Sequence, residues 1–193
     1  WEVPFVQLVA GFLLLTGLFH FIVGTVFNTR YNTDLQRGIN KFRWIEYSIT
    51  SSVMIVLIGL LFGVNDIGAI ILLVGLNMTM NLTGWIMEKV NQYTEKTNWL
   101  AFVVGTIPAI LMWGVLFMFA FGNSDPSEVP WFVYAIFASY FFFFNLFPVN
   151  MFLQYKKVGK WKEYVFGEKV YMFLSLFSKT ILAWIVLAGI MQP

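Results

Sequence analysis

Six long apolar stretches, separated by short polar segments, constrain this chain more than any other feature. They cover residues 3–27, 41–64, 67–87, 99–121, 129–153 and 165–191. A bilayer crossing takes roughly 20 apolar residues in a helix, and each stretch reaches that length. Within a bilayer the backbone polar groups must be satisfied inside the segment, so stretches this long predict helices. Composition agrees: 11% of the residues are charged, against roughly 25% in soluble proteins. The expected fold is all-α, a polytopic transmembrane helix bundle. Residues 1–193 are expected to form one transmembrane domain, with no internal repeat and no soluble domain.

Local signals refine the spans. The brief Asn65-Asp66 connector predicts that the second and third spans are antiparallel neighbours, with Asp66 capping the third. The 123–128 turn predicts the same relation for the fourth and fifth. The second helix is expected to begin ahead of its apolar core, capped by Thr33 or Asp34, with 35–41 as its polar first turns. No charged n-region with a small-residue cleavage site marks a signal peptide.

Charge is divided sharply between the two sets of loops. Arg30, Arg37, Lys41, Lys89, Lys96, Lys156, Lys157, Lys160, Lys162 and Lys169 lie on one side. Glu2, Asp66, Asp125 and Glu128 lie on the other, without lysine or arginine. The positive-inside rule places the basic loops in the cytoplasm and the C-terminus outside, in a multi-pass cell-membrane protein. Cysteine is absent, which excludes disulfides, thiolate catalysis and cysteine metal sites. His20 is the single histidine, which excludes a multi-histidine metal site within one chain.

Lys179 interrupts the last apolar stretch near its middle. An ionisable residue inside a span is costly and marks a functional site by default. Glu46 is the matching acid, about 18 Å along its helix if that helix starts at Asp34, and Lys179 is about 25 Å beyond Lys162. A plain interhelical ion pair is the bland alternative, but buried pairs are seldom net stabilising. Ser175 lies one turn before Lys179 and faces the same way. Arg43, Glu46, Tyr47, Thr50 and Ser51 share part of one helix face, with Arg43 placed to stabilise ionised Glu46 or to snorkel to the interface. Asn77 and Met80 lie near mid-membrane on the third span. Asn77-Met78-Thr79 and Asn81-Leu82-Thr83 match the glycosylation pattern but fall within the bilayer. Thr16 and His20 share a face of the first span, and His20 serves either as an interhelical contact or as a proton site. Tyr140, Phe141, Phe144 and Pro148 put aromatics beside a proline, as packing or as a clamp on a flat ligand.

Taken together, these residues resemble the heliorhodopsins, a retinal-binding family. The 43–48 segment, Arg-Trp-Ile-Glu-Tyr-Ser, looks like the family's third-helix motif. The 175–184 segment looks like its seventh-helix lysine motif, with serine rather than aspartate four residues before the lysine. The resemblance extends over essentially the whole chain. It implies a rhodopsin-like fold with six of seven helices (family helices 2–7) in this sequence. One helix, carrying a family histidine and followed by a long loop, would then precede Trp1.

The resemblance further implies covalently bound all-trans retinal, with Lys179 forming the Schiff base and Glu46 as its single carboxylate counterion. Tyr47, Thr50, Ser51, Asn77, Met80 and Ser175 would line the pocket or its hydrogen-bond network. Trp99, Pro108 and Phe144 would lie near the retinal ring. Thr16, His20 and Arg43 would form a polar network on the cytoplasmic side. The implied assembly is a homodimer in membrane lipid, with a signalling partner on the cytoplasmic side and no nucleic acid.

Three functions compete. A light sensor keeps its proton within the protein; a pump needs donors and acceptors on both sides, and the outer half offers no buried carboxylate. A light-gated proton or ion channel or transporter on the same chromophore would show photocurrent. A carrier or enzyme using Glu46 and Lys179 without retinal would be colourless, and no nucleophile, metal or nucleotide motif supports one. The light sensor, a non-enzyme, is the expected function.

Overall fold

Residues 5–122 and 130–190 are described in the structure, a computed structural model. The described residues form helices and short connectors, without a strand, and six helices are long and apolar enough to cross a membrane. The chain divides into two compact units, Trp1–Pro126 and Ser127–Pro193. The 123–128 turn, with Asp125 and Glu128, lies outside the described residues, as does Glu2.

The first unit holds α1 (Phe5–Thr25), α2 (Asn28–Gln36), α3 (Lys41–Leu61), α4 (Ile67–Asn91) and α5 (Leu100–Gly122). Helix α3 packs against both α1 and α4, and α4 packs against α5. That position explains why α3 is the most enclosed of the six spans. The expected antiparallel pairing of α3 and α4 is present. Gly63 turns the chain at φ 80°, and Asp66 caps α4 by accepting from the Ala69 amide at 2.8 Å. Asn98 caps α5 through the Leu100 amide at 2.9 Å.

The start of the second span differs from expectation. The 35–41 segment is not the first turns of that helix. A separate helix, α2, ends at Gln36, and Gly38 breaks the path at φ 70°. The cap is Asn40, which accepts from the Arg43 amide at 3.1 Å. Asp34 instead pairs with Lys41 at 2.7 Å across the break. Glu46 is therefore only five residues into α3, about 8 Å from its start rather than 18 Å.

The second unit is a helical pair, α6 (Trp131–Tyr155) and α7 (Tyr164–Ile190), joined through a 3-10 turn at Gly159–Lys162. Phe143 meets Phe177 and Phe147 meets Tyr171, each pair with ring centroids 6.2 Å apart. At one end of the seam Gly189 lies against the Phe132 ring. Pro148 lies within α6, which continues beyond it to Tyr155.

Helix α3 packs tightly on α4 at Gly84, where an added Cβ would fall 2.9 Å from Trp44 Cε3 and closer still to the ring's outer edge. Overpacking of this kind costs about 1–3 kcal/mol. Gly84→Ala should therefore lower the thermal midpoint measured by helical circular dichroism, and adding Trp44→Phe should recover part of the loss. A Gly84→Ala protein as stable as the parent would contradict this contact.

Candidate functional site

The first unit centres on Glu46, which is buried on α3. Two hydroxyls reach the same carboxylate oxygen. Thr50, one turn later on α3, donates to Oε1 at 2.8 Å, and Thr16 on α1 donates to it at 3.3 Å. Hydrogen bonds to an ionised acceptor are the strong ones, so this arrangement suits a carboxylate held in one orientation. Thr16, Glu46 and Thr50 are thus brought together. His20 is exposed, and no hydrogen bond joins it to that set among the described residues.

The opposite side of α3 forms a polar seam with α4. The Asn77 amide donates to Ser51 Oγ at 2.7 Å and to Ser52 Oγ at 2.9 Å. Asn81 reaches Ser51 Oγ at 3.3 Å. Ser51 in turn donates to the Tyr47 carbonyl at 2.5 Å, and Tyr47 meets the Trp44 ring edge-on. Farther along come the Trp44–Gly84 contact and then a buried ion pair between Arg43 and Glu88. Glu88 Oε2 also accepts from the Asn40 amide at 2.9 Å, and the Arg43 guanidinium lies 4.4 Å from the Trp44 ring centroid.

Arg43 thus has its ion pair with Glu88, where the sequence placed it with Glu46 or at the interface. The reason is geometric: a helical side chain leans towards its own N-terminus, and for Arg43 that direction leads to the end of α4.

Met80 is half-buried, and its carbonyl accepts from Thr83 at 2.7 Å. Pro108 is buried within α5. Trp99, just ahead of α5, meets Phe102 edge-on at 5.6 Å.

In the second unit, Lys179 is buried at mid-helix on α7, 5% exposed. Ser175, one turn earlier, is 3% exposed, and its hydroxyl has no hydrogen-bond partner among the described residues. Ser178 donates to the Ser175 carbonyl at 3.2 Å, leaving the Ser175 Oγ uncommitted. Buried hydroxyls are nearly always bonded, so this one is suited to a group the chain does not itself supply. On α6, Phe144 packs at a tilt on Tyr140, 5.4 Å between centroids.

The residues that sequence reading missed are Asn40, Ser52, Asn81 and Glu88. Their signal was present: Asn77, Asn81, Gly84 and Glu88 recur at helical spacing on α4, a polar and small stripe against α3. Ending the span at Met87 left Glu88 looking like loop; α4 runs on to Asn91.

Six spanning helices, with a lysine buried midway along the last, define a rhodopsin-like helical membrane protein. The heliorhodopsin family model matches residues 1–191, and the chain belongs to that family. It is accordingly a retinal-binding, light-responsive membrane protein of photoreceptor type. No curated protein matches the chain.

Removing one partner from a buried ion pair leaves an uncompensated charge and costs about 3–5 kcal/mol. Arg43→Gln and Glu88→Gln should each destabilise strongly in thermal unfolding, while the double variant should lose much less than the two losses together. Simple additivity would contradict the pairing.

Proposed function

We propose that the chain is a light sensor in which Lys179 carries retinal as a protonated Schiff base and Glu46 is the counterion. The observation that carries this reading is the buried Lys179 on α7, with an uncommitted Ser175 hydroxyl one turn away. Retinal, when bound, supplies an aldehyde that condenses with a primary amine and a polyene that isomerises on absorbing light.

The protein's own groups divide the remaining work. Lys179 provides the primary amine, within an apolar helix where competing water is scarce. Ser175 Oγ offers a hydrogen bond at the same face without adding a second negative charge. Glu46 provides the opposite charge, and a nearby opposite charge favours the cationic form of its partner. Thr16 and Thr50 donate to Glu46 Oε1 and so favour the charged carboxylate and hold it in place.

Phe144 and Tyr140 supply an aromatic surface on α6, and Met80, Trp99 and Pro108 belong to the same cofactor-binding set. Tyr47, Ser51 and Asn77 support Glu46 from behind by fixing α3 against α4. In this reading Arg43 belongs to the cytoplasmic-side network through its ion pair with Glu88, while His20 lies on an exposed face of α1. Retention of the proton makes the chain a sensor rather than a pump, with the basic loops facing the cytoplasm and the C-terminus outside.

Reconstitution with all-trans retinal should give a visible absorption band that Lys179→Ala abolishes and Glu46→Gln moves to longer wavelength. Unchanged absorbance in both variants would contradict the assignment. Ser175→Ala should also move the band without destabilising the retinal-free protein, since no bond within the chain is lost and an unsatisfied buried hydroxyl is removed. A destabilised retinal-free variant with an unmoved band would contradict the role given to Ser175.

A further inference from the structure

We propose that the α6–α7 turn is a preformed binding platform for anionic phospholipid headgroups. Lys157, Lys160, Lys162 and Lys169 are exposed there, and among the described residues none of the four makes an ion pair. Glu163 is the one exposed acid in the 156–169 segment; Glu168 is buried. The surplus of positive charge is therefore offered outward rather than consumed inside the protein.

The turn is held in shape, which distinguishes it from a loose basic tail. The Trp161 indole donates to Asn150 Oδ1 at 2.7 Å, and the Asn150 amide donates to the Gly167 carbonyl at 3.1 Å. Gln154 donates to the Tyr164 carbonyl at 3.1 Å, and Trp161 meets Phe166 edge-on at 5.1 Å. Lys157 sits at φ 53°, a left-handed conformation that persists in a non-glycine residue only where the surroundings hold it. Three side chains from the end of α6 and the turn thus tie the lysines to the start of α7.

Position selects lipid over an acidic protein as the occupant. The turn joins two spanning helices directly, between Tyr155 and Tyr164, and Trp161 lies between them in sequence. Tyrosine and tryptophan favour the headgroup level of a bilayer. A lysine side chain there keeps its ammonium within the screening length, about 8 Å at physiological salt, of the lipid phosphates. Anionic lipid is attracted to such clusters, by about fivefold in binding for each lysine near the surface.

The test uses the whole chain in phosphatidylcholine bilayers with trace spin-labelled phosphatidylglycerol or phosphatidylcholine. The fraction of motionally restricted label gives the preference for the anionic lipid. The parent should prefer phosphatidylglycerol, and 1 M salt should remove that preference. Replacing Lys157, Lys160, Lys162 and Lys169 together by Gln should remove most of it. Replacing Arg30, Lys89 and Lys96 by Gln should leave most of it. Trp161→Phe keeps every charge but removes the indole donor, and should give an intermediate loss.

Equal losses in the two charge-removal variants would overturn the proposal in favour of diffuse net charge. An unchanged preference in the four-lysine variant would also overturn it and leave the turn to an acidic protein partner. Full preference in Trp161→Phe would overturn the preformed platform. These readouts need no pigment, so they stand apart from the retinal assignment.

Discussion

The antiparallel seam between α3 and α4 is the interaction on which the first unit depends. It combines three kinds of contact along one line: amide-to-hydroxyl bonds at Asn77, a ring against a glycine at Trp44 and Gly84, and the Arg43–Glu88 ion pair. In a bilayer the lipid chains are as apolar as the side chains, so helix association rests on close packing and interhelical polar contacts. The seam supplies both. By fixing the rotation of α3, it turns Glu46 and Thr50 towards α1, where Thr16 completes the carboxylate's donors. The acid assigned as counterion is thus held from two sides, by bonds on its own face and by a clamp on the opposite one.

The second unit relies on different physics. Its helices meet through aromatic rings at Phe143–Phe177 and Phe147–Tyr171, and polar ties are concentrated at the turn, where Asn150, Gln154 and Trp161 bridge α6 to the start of α7. Lys179 lies well away from that tied end, at mid-helix, with Ser175 one turn before it. The turn thus anchors one end of α7, and the buried lysine lies near its middle.

Much of the fold was legible because membrane spans are written in length and hydropathy. All six spanning helices start within two residues of an apolar boundary, and α3 starts where the apolar core does, at Lys41. The error lay in extending that helix back to Asp34. Propensity does not reveal the left-handed Gly38 that separates α2 from α3, nor that Asn40 rather than Asp34 is the cap. Lys179, Glu46 and Ser175 stood out because charge and hydroxyl are conspicuous inside apolar segments. The partner of Arg43 did not, because a salt bridge between helices depends on the direction a side chain leans and on where the neighbouring helix ends. Glu88 was hidden by a span boundary drawn four residues short of Asn91. The Trp161–Asn150 bond was invisible for a related reason: pairings within a turn leave no periodic trace.

The most direct test of the central claim is chemical trapping. The chain is incubated with all-trans retinal in the dark, reduced with borohydride, digested and examined by mass spectrometry. A retinyl group on the peptide carrying Lys179, and not on those carrying the exposed lysines, is the predicted result. Labelling confined to exposed lysines such as Lys157 or Lys160, with Lys179 unmodified, would contradict it.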